Sequence, residues 1–168
     1  MKTLSIIVPC YNEEKALPFF IKEIQNQSGL IDQTMELIFV NDGSKDQTLN
    51  VLKTLRKDYP NLDIHIIDFS RNFGKEAGIL AGLRASRGEL IVIMDADMQD
   101  PPHLLPQMIE TLKETGVDSV ATYRVDRKGE PPIRSFFARR FYSLINKLSE
   151  IDIVDGSRDY RLMTRSEE

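Results

Sequence analysis

Apolar runs recur five times along this chain, and between them lie segments with helical spacing. Thr3 to Val8, Met35 to Val40, Leu62 to Ile67, Leu90 to Met94 and Val117 to Tyr123 are short, mostly apolar segments, each predicted as a strand. Leu90 to Met94 is apolar without a break, which predicts a strand buried on both faces. Pro9 is expected to stop the first. Leu17, Phe20, Ile21 and Ile24 fall on one face of a predicted helix, with Pro18 in its first turn and Ser28-Gly29 at its end. Further helices are predicted over 47–59, 74–86 and 102–115. Leu49, Leu52 and Leu55 mark the first of these, and Gly74, Gly78 and Gly82, spaced by four for close packing, mark the second. Strand and helix thus alternate, which predicts an α/β domain: a parallel sheet with helices on both faces and a ligand crevice at the carboxyl ends of its strands.

Three of those strand ends run into polar loops: Tyr11-Asn12-Glu13, Asn41-Asp42-Gly43-Ser44 and Asp95-Ala96-Asp97. The third is the most pointed. A buried run ends abruptly in Asp95, Asp97, Gln99 and Asp100, and Pro101-Pro102 opens the next helix. Carboxylates that crowd one loop repel each other unless a cation neutralises them. Oxygen donors such as Asp97 and Gln99 suit a hard ion, Mg²⁺ or Mn²⁺. A solvated acidic turn is the alternative, and this loop alone leaves it open. No G-x-G-x-x-G follows the first strand and no G-x-x-x-x-G-K-[ST] occurs, which argues against a dehydrogenase-type dinucleotide site and a P-loop. His65 and His103 are read as structural, and Cys10, with no His or Asp partner near it in sequence, is not read as a nucleophile. A phosphorylatable receiver domain would need an acidic pair where Pro9-Cys10 stands and a Lys where Tyr123-Arg124 stands.

Composition narrows the class further. The 168 residues are 41% hydrophobic and carry a net charge of −4, which argues for one globular domain and against a general nucleic-acid binder. A single cysteine rules out an internal disulfide. No run approaches the roughly 18 apolar residues of a membrane span, so a cytoplasmic chain is expected. The segment 124–147 stands apart. It has seven basic residues against two acidic ones, a net of +5, and from Pro132 onward Phe137, Phe141, Leu144 and Leu148 share one helical face. Such a helix suits either an anionic membrane surface or a core with a solvated basic side.

Ile7-Val-Pro-Cys-Tyr-Asn-Glu-Glu14, Val40-Asn-Asp-Gly-Ser44, Ser70-Arg-Asn-Phe-Gly74 and Met94-Asp-Ala-Asp-Met-Gln-Asp-Pro-Pro102 together resemble the successive signatures of family 2 glycosyltransferases. The resemblance runs from residue 4 to about residue 165. It implies the GT-A fold, a mostly parallel Rossmann-like sheet with helices on both faces, forming one catalytic domain over 1–168. The Asp-Pro-Pro ending, the basic segment and Arg158-Asp-Tyr-Arg-Leu-Met-Thr-Arg165 are similar to the branch that moves a sugar from a nucleotide donor to a polyprenyl phosphate.

The resemblance also implies roles. Pro9, Tyr11, Glu13, Val40 and Asp42 would line the base and ribose pocket. Asp95, Ala96 and Asp97 would meet the nucleoside diphosphate, and Asp97 and Gln99 would hold Mg²⁺ or Mn²⁺. Arg124 would reach a phosphate of donor or acceptor, and Arg139 and Ser143, within an acceptor-side segment 124–150, would meet the acceptor phosphate. Asp159 would lie near the reaction centre, and UDP-glucose is the expected donor. Asn41 departs from the pattern, since many relatives carry a second Asp there. Relatives of this branch continue into membrane helices, so the chain is expected to be either the cytosolic part of a longer protein, at the membrane face, or a soluble relative with a hydroxyl-bearing glycan acceptor.

Overall fold

The computed structural model of the protein describes residues 3–28, 34–123 and 157–165. Strands β1 (Thr3–Cys10), β2 (Thr34–Asn41), β3 (Asp63–Asp68), β4 (Leu90–Ile93) and β5 (Ser119–Tyr123) alternate with helices α1 (Leu17–Ser28), α2 (Thr48–Asp58), α3 (Lys75–Ala85) and α4 (Leu105–Thr115). A last strand, β6 (Ser157–Thr164), follows. The chain divides into two compact units, residues 1–120 with 159–168, and residues 121–158. The first holds the cleft described below. Of the second, the structure describes only the ends of two strands, 121–123 and 157–158.

The sheet order is β3-β2-β1-β4-β6-β5. β1 pairs in parallel with β2 and β4, and β2 with β3, as the alternation predicts. β6 is the departure: it lies antiparallel to β4, with Ile91 opposite Met163. The sequence reading did not include this strand, because its apolar residues come singly. Tyr160 and Leu162 point into the core and exposed Arg161 lies between them, a period of two and not a run.

Odd and even positions of β1 divide the core. Leu4, Ile6 and Val8 join Phe39, Val92 and the buried faces of α1, α2 and α4 in one large cluster. Ile7 joins Ile91 and Ile93 on the other face, under Ile79 and Leu83 of α3. Leu17, Phe20, Ile21 and Ile24 of α1 are all fully buried, each contributing roughly 1.5–3 kcal/mol of transfer free energy. Phe20 meets Phe39 edge to face at 6.0 Å between ring centres.

Several boundaries differ from expectation for clear reasons. Pro9 does not stop β1, which runs on to Cys10. The β4 ladder ends where Ile7 pairs with Ile93, and the Ile7 carbonyl then accepts the Met94 N–H. Pro9 faces that same side two residues later, so its missing N–H breaks no ladder bond. The helix expected from Pro102 begins as one 3-10 turn, Pro102–Leu104, and becomes α-helical at Leu105. Of the three spaced glycines only Gly78 and Gly82 face the sheet. A Cβ at Gly82 would overlap the Ile7 side chain, and one at Gly78 would touch Pro9 and Val40. Gly74 instead occupies the N-cap of α3 at φ +98°. α3 therefore lies close against β1 and β2, which sets where its first residue, Lys75, can reach.

Candidate active site

The loops that follow β1, β2 and β3 are built largely by hydrogen bonds to one another. Asn12 adopts a left-handed conformation at φ +59°. Its Oδ1 accepts the Lys45 N–H at 2.8 Å, and its own N–H donates to Ser44 Oγ at 3.0 Å. The Glu13 N–H donates to Thr48 Oγ1 at 2.8 Å. Thus the loop after β1 is stitched to the loop after β2. A third loop, after β3, is held by Asp42, whose two carboxylate oxygens accept the N–H groups of Phe73 and Gly74 at 2.7 and 2.9 Å. Gly43, at φ +62°, lets the two backbones meet there; a Cβ would overlap the backbone of Arg71.

The acidic loop closes on itself. Asp100, buried, accepts the Asp95 N–H at 3.3 Å, and Asp97 Oδ1 accepts the Gln99 N–H at 3.0 Å. Met98, left-handed at φ +63°, supplies the bend. Tyr160 of β6 donates its hydroxyl to the Pro101 carbonyl at 3.3 Å and so pins the end of the loop. Burial and the nearby Asp100 push the Tyr160 hydroxyl well above its ordinary pKa, so it stays a donor.

These loops surround a cleft of about 320 Å³ at the carboxyl ends of the strands. Pro9, Tyr11, Glu13, Asp42, Asp95, Ala96 and Asp97 line it together, seven of the residues expected there. Val40 does not: its side chain is fully buried beneath Gly78 of α3, because it points to the opposite face of the sheet from Phe39. Gln99 is exposed just outside the lining. Asn72, Gly74 and Lys75 also line the cleft, and the sequence placed none of them among the expected site residues. The signal was present in the stretch Ser70 to Gly74, which follows β3 as the other loops follow their strands. Asp159 lies in β6, but its side chain is outside what the structure describes, and Arg124, Arg139, Ser143 and the helix expected over 132–148 lie outside the described residues.

The electrostatics of the cleft are unbalanced. Glu13, Asp42, Asp95 and Asp97 face a single cation among the described lining residues, Lys75, whose Nζ lies 2.8 Å from Asp95 Oδ2. Burial, then the charges of Asp97, Asp95 and Asp46, raise the pKa of Glu13. Burial, then Glu13 and Asp95, also push the Cys10 thiol far up, which removes it as a nucleophile.

The residues fit a hard divalent ion in donor type and charge. Asp97 is exposed at the cleft, and among the described residues its Oδ2 takes no hydrogen bond. Glu13, Asp95 and Asp97 do not bring three oxygens within 4.8 Å of one another, so an ion there would need further oxygens from a ligand. Glu36, Asp63 and His65, at the opposite end of the strands, do come that close. Arg87 already fills that cluster, pairing with Glu36 at 3.0 Å and with Asp63 at 3.1 Å. Burial disfavours ionised Glu36, but hydrogen bonds from Ser5 and Arg87 outweigh it and lower its pKa. That cluster therefore neutralises a buried charge with an arginine.

The description "Glycosyl transferase family 2" matches residues 5–167. The chain belongs to glycosyl transferase family 2. Within that family it is 42% identical over 161 residues to an uncharacterised glycosyltransferase, YkcC, of Bacillus subtilis, covering 96% of this chain and 49% of that one. It is 37% identical over 162 residues to the bactoprenol glucosyl transferase of Shigella phage SfX, covering 96% and 52%. The chain thus spans about half the length of these relatives. The GT-A fold recurs in a mannosyltransferase from Pyrobaculum calidifontis solved with GDP-Man and Mn²⁺, with a TM-score of 0.69, 24% identity and coverage of 96% and 44%. TarS from S. aureus, solved with UDP-GlcNAc, has a TM-score of 0.55, 27% identity and coverage of 78% and 37%. Among the described residues of the family 2 chain, no helix is long and apolar enough to cross a membrane.

Proposed function

We propose that this chain is the catalytic domain of a glycosyltransferase that moves a sugar from a nucleotide-sugar donor, UDP-glucose, to a polyprenyl phosphate. The observation that carries the donor half is the charge of the cleft: among the described lining residues, four carboxylates against one ammonium. A nucleoside diphosphate would be repelled from such a surface unless a divalent cation entered with it. Mg²⁺ or Mn²⁺ held by Asp97 and Gln99 would supply that charge at the diphosphate. Tyr11, 41% exposed at the cleft, offers an aromatic face for the base, with Pro9 beside it. Asp42 keeps the loop that carries Asn72 and Gly74 in place around the ligand.

In the transfer, a phosphate oxygen of the acceptor bonds to the anomeric carbon as the bond from that carbon to the diphosphate breaks, and the nucleoside diphosphate leaves with the electron pair. The attacking phosphate is already ionised near neutral pH, so Asp159 would orient groups instead of removing a proton. Arg124, Arg139 and Ser143 would receive the acceptor phosphate from the segment 124–150, with its basic, amphipathic pattern at the cytosolic face of the membrane. Half of each relative's length lies beyond the match, and the acceptor reading rests on the relatives called bactoprenol glucosyl transferases.

The test is transfer from radiolabelled UDP-glucose into vesicles that contain polyprenyl phosphate, with the full-length protein. The expected result is label in the organic phase, dependent on Mg²⁺ or Mn²⁺, and strongly reduced in Arg139→Lys, because lysine cannot form the two parallel bonds of a guanidinium. Label that passes only to a hydroxyl-bearing glycan would replace this acceptor with a soluble one.

A further inference from the structure

Among the described lining residues of the cleft, Lys75 is the one cation facing four carboxylates, and its position is fixed from two sides. Behind it, α3 is held against Ile7, Pro9 and Val40 through Gly78 and Gly82. Before it, Asp42 clamps the N–H of Gly74. From the first turn of α3 its ammonium reaches across the cleft to Asp95 Oδ2 at 2.8 Å, and both side chains are 36% exposed. Asp95 is two residues from Asp97, so without Lys75 both carboxylates would be open to one cation. A lysine ammonium is a point charge on a flexible four-carbon stem, able to change partners with a small rotation.

We propose that Lys75 is a diphosphate-binding residue that reserves Asp95: it occupies that carboxylate while the cleft is empty, so that a divalent ion is left to Asp97, and it turns to the diphosphate when the donor enters. This rests on the donor-site reading above. It predicts opposite changes for two ligands from one substitution. In Lys75→Met, Asp95 is released and the cleft loses its cation. Mn²⁺ alone should then bind more tightly, by about fivefold or more. UDP at saturating Mn²⁺ should bind more weakly, by about tenfold or more, because a charge-assisted hydrogen bond is lost.

The experiment measures Mn²⁺ binding by electron paramagnetic resonance and UDP binding by calorimetry, in wild type, Lys75→Met and Lys75→Arg, with circular dichroism to compare their folds. Lys75→Arg keeps the charge and should stay within about threefold of wild type for both ligands. If Lys75→Met binds Mn²⁺ alone no more tightly than wild type, Lys75 does not reserve Asp95. If it binds UDP as wild type does, Lys75 is not a diphosphate ligand. Lys75→Arg behaving like Lys75→Met for both ligands would also overturn the proposal, since charge would then not be what matters. In all three cases a wild type that binds UDP with Mn²⁺ leaves the donor site standing, whereas a wild type that does not bind UDP removes both readings together.

Discussion

The carboxylate of Asp42, at the end of β2, accepts the backbone N–H of Phe73 at 2.7 Å, across 31 residues of sequence. Its second oxygen takes the N–H of Gly74, the N-cap of α3. A glycine has no side chain with which to cap a helix, and here another strand provides the carboxylate. Asp42 is almost fully buried, so both bonds form away from bulk water, where they matter most. In Asp42→Asn one oxygen becomes an NH₂ that faces a backbone donor. Stability should fall by about 1–3 kcal/mol in chemical denaturation. Hydrogen exchange at Phe73 and Gly74 should accelerate together. Unchanged exchange at both amides would show that the clamp does not hold this loop.

Gly82→Ala places a methyl group where the Ile7 side chain already lies. α3 would have to lift from the sheet, at a cost of about 1–3 kcal/mol. Because Lys75 starts the same helix, UDP affinity should drop as well. Gly116→Ala is the comparison: no atom lies near its Cβ position, and only its left-handed φ of +66° opposes the change. A Gly82 variant as stable as wild type would mean that α3 does not depend on this close approach.

Glu13 gives a pH signature. Its pKa is raised, first by burial and then by Asp97 and Asp95, so the folded protein without ligand disfavours the ionised form. Stability is then highest below the ordinary glutamate pKa and declines as pH rises through the higher folded value. Glu13→Gln should raise the melting temperature at neutral pH, and the gain should shrink as pH falls toward the ordinary glutamate range. Saturating Mn²⁺ should shrink it too, by compensating the charge. A gain that is the same at every pH would remove the electrostatic explanation.

The sheet and most of the cleft were legible because the strands are short segments dominated by apolar residues, Leu90–Ile93 without interruption, and three of them end in polar loops. Tyr11-Asn12-Glu13, Asn41-Asp42 and Asp95-Ala96-Asp97 lie at neighbouring strand ends, so topology alone brought them together. What remained hidden depends on pairing between distant residues. Nothing local in sequence tells that Lys75 meets Asp95, or that Arg87 meets Glu36. Val40, expected at the pocket from the family resemblance, has its side chain on the α3 face, and in a strand buried on both faces the sequence does not say which face each residue takes. β6 escaped because its alternating pattern is short, and because it joins the sheet antiparallel beside a strand far back in the chain.

The central claim is a donor cleft whose nucleotide binding depends on a divalent ion at Asp97. Calorimetric titration of UDP into wild type and Asp97→Ala, each with Mn²⁺ and with EDTA, tests it most directly. The account predicts binding by wild type with Mn²⁺, and a loss of about tenfold or more both on chelation and on substitution, with the substituted protein indifferent to Mn²⁺. UDP binding of equal strength in all four titrations would contradict it.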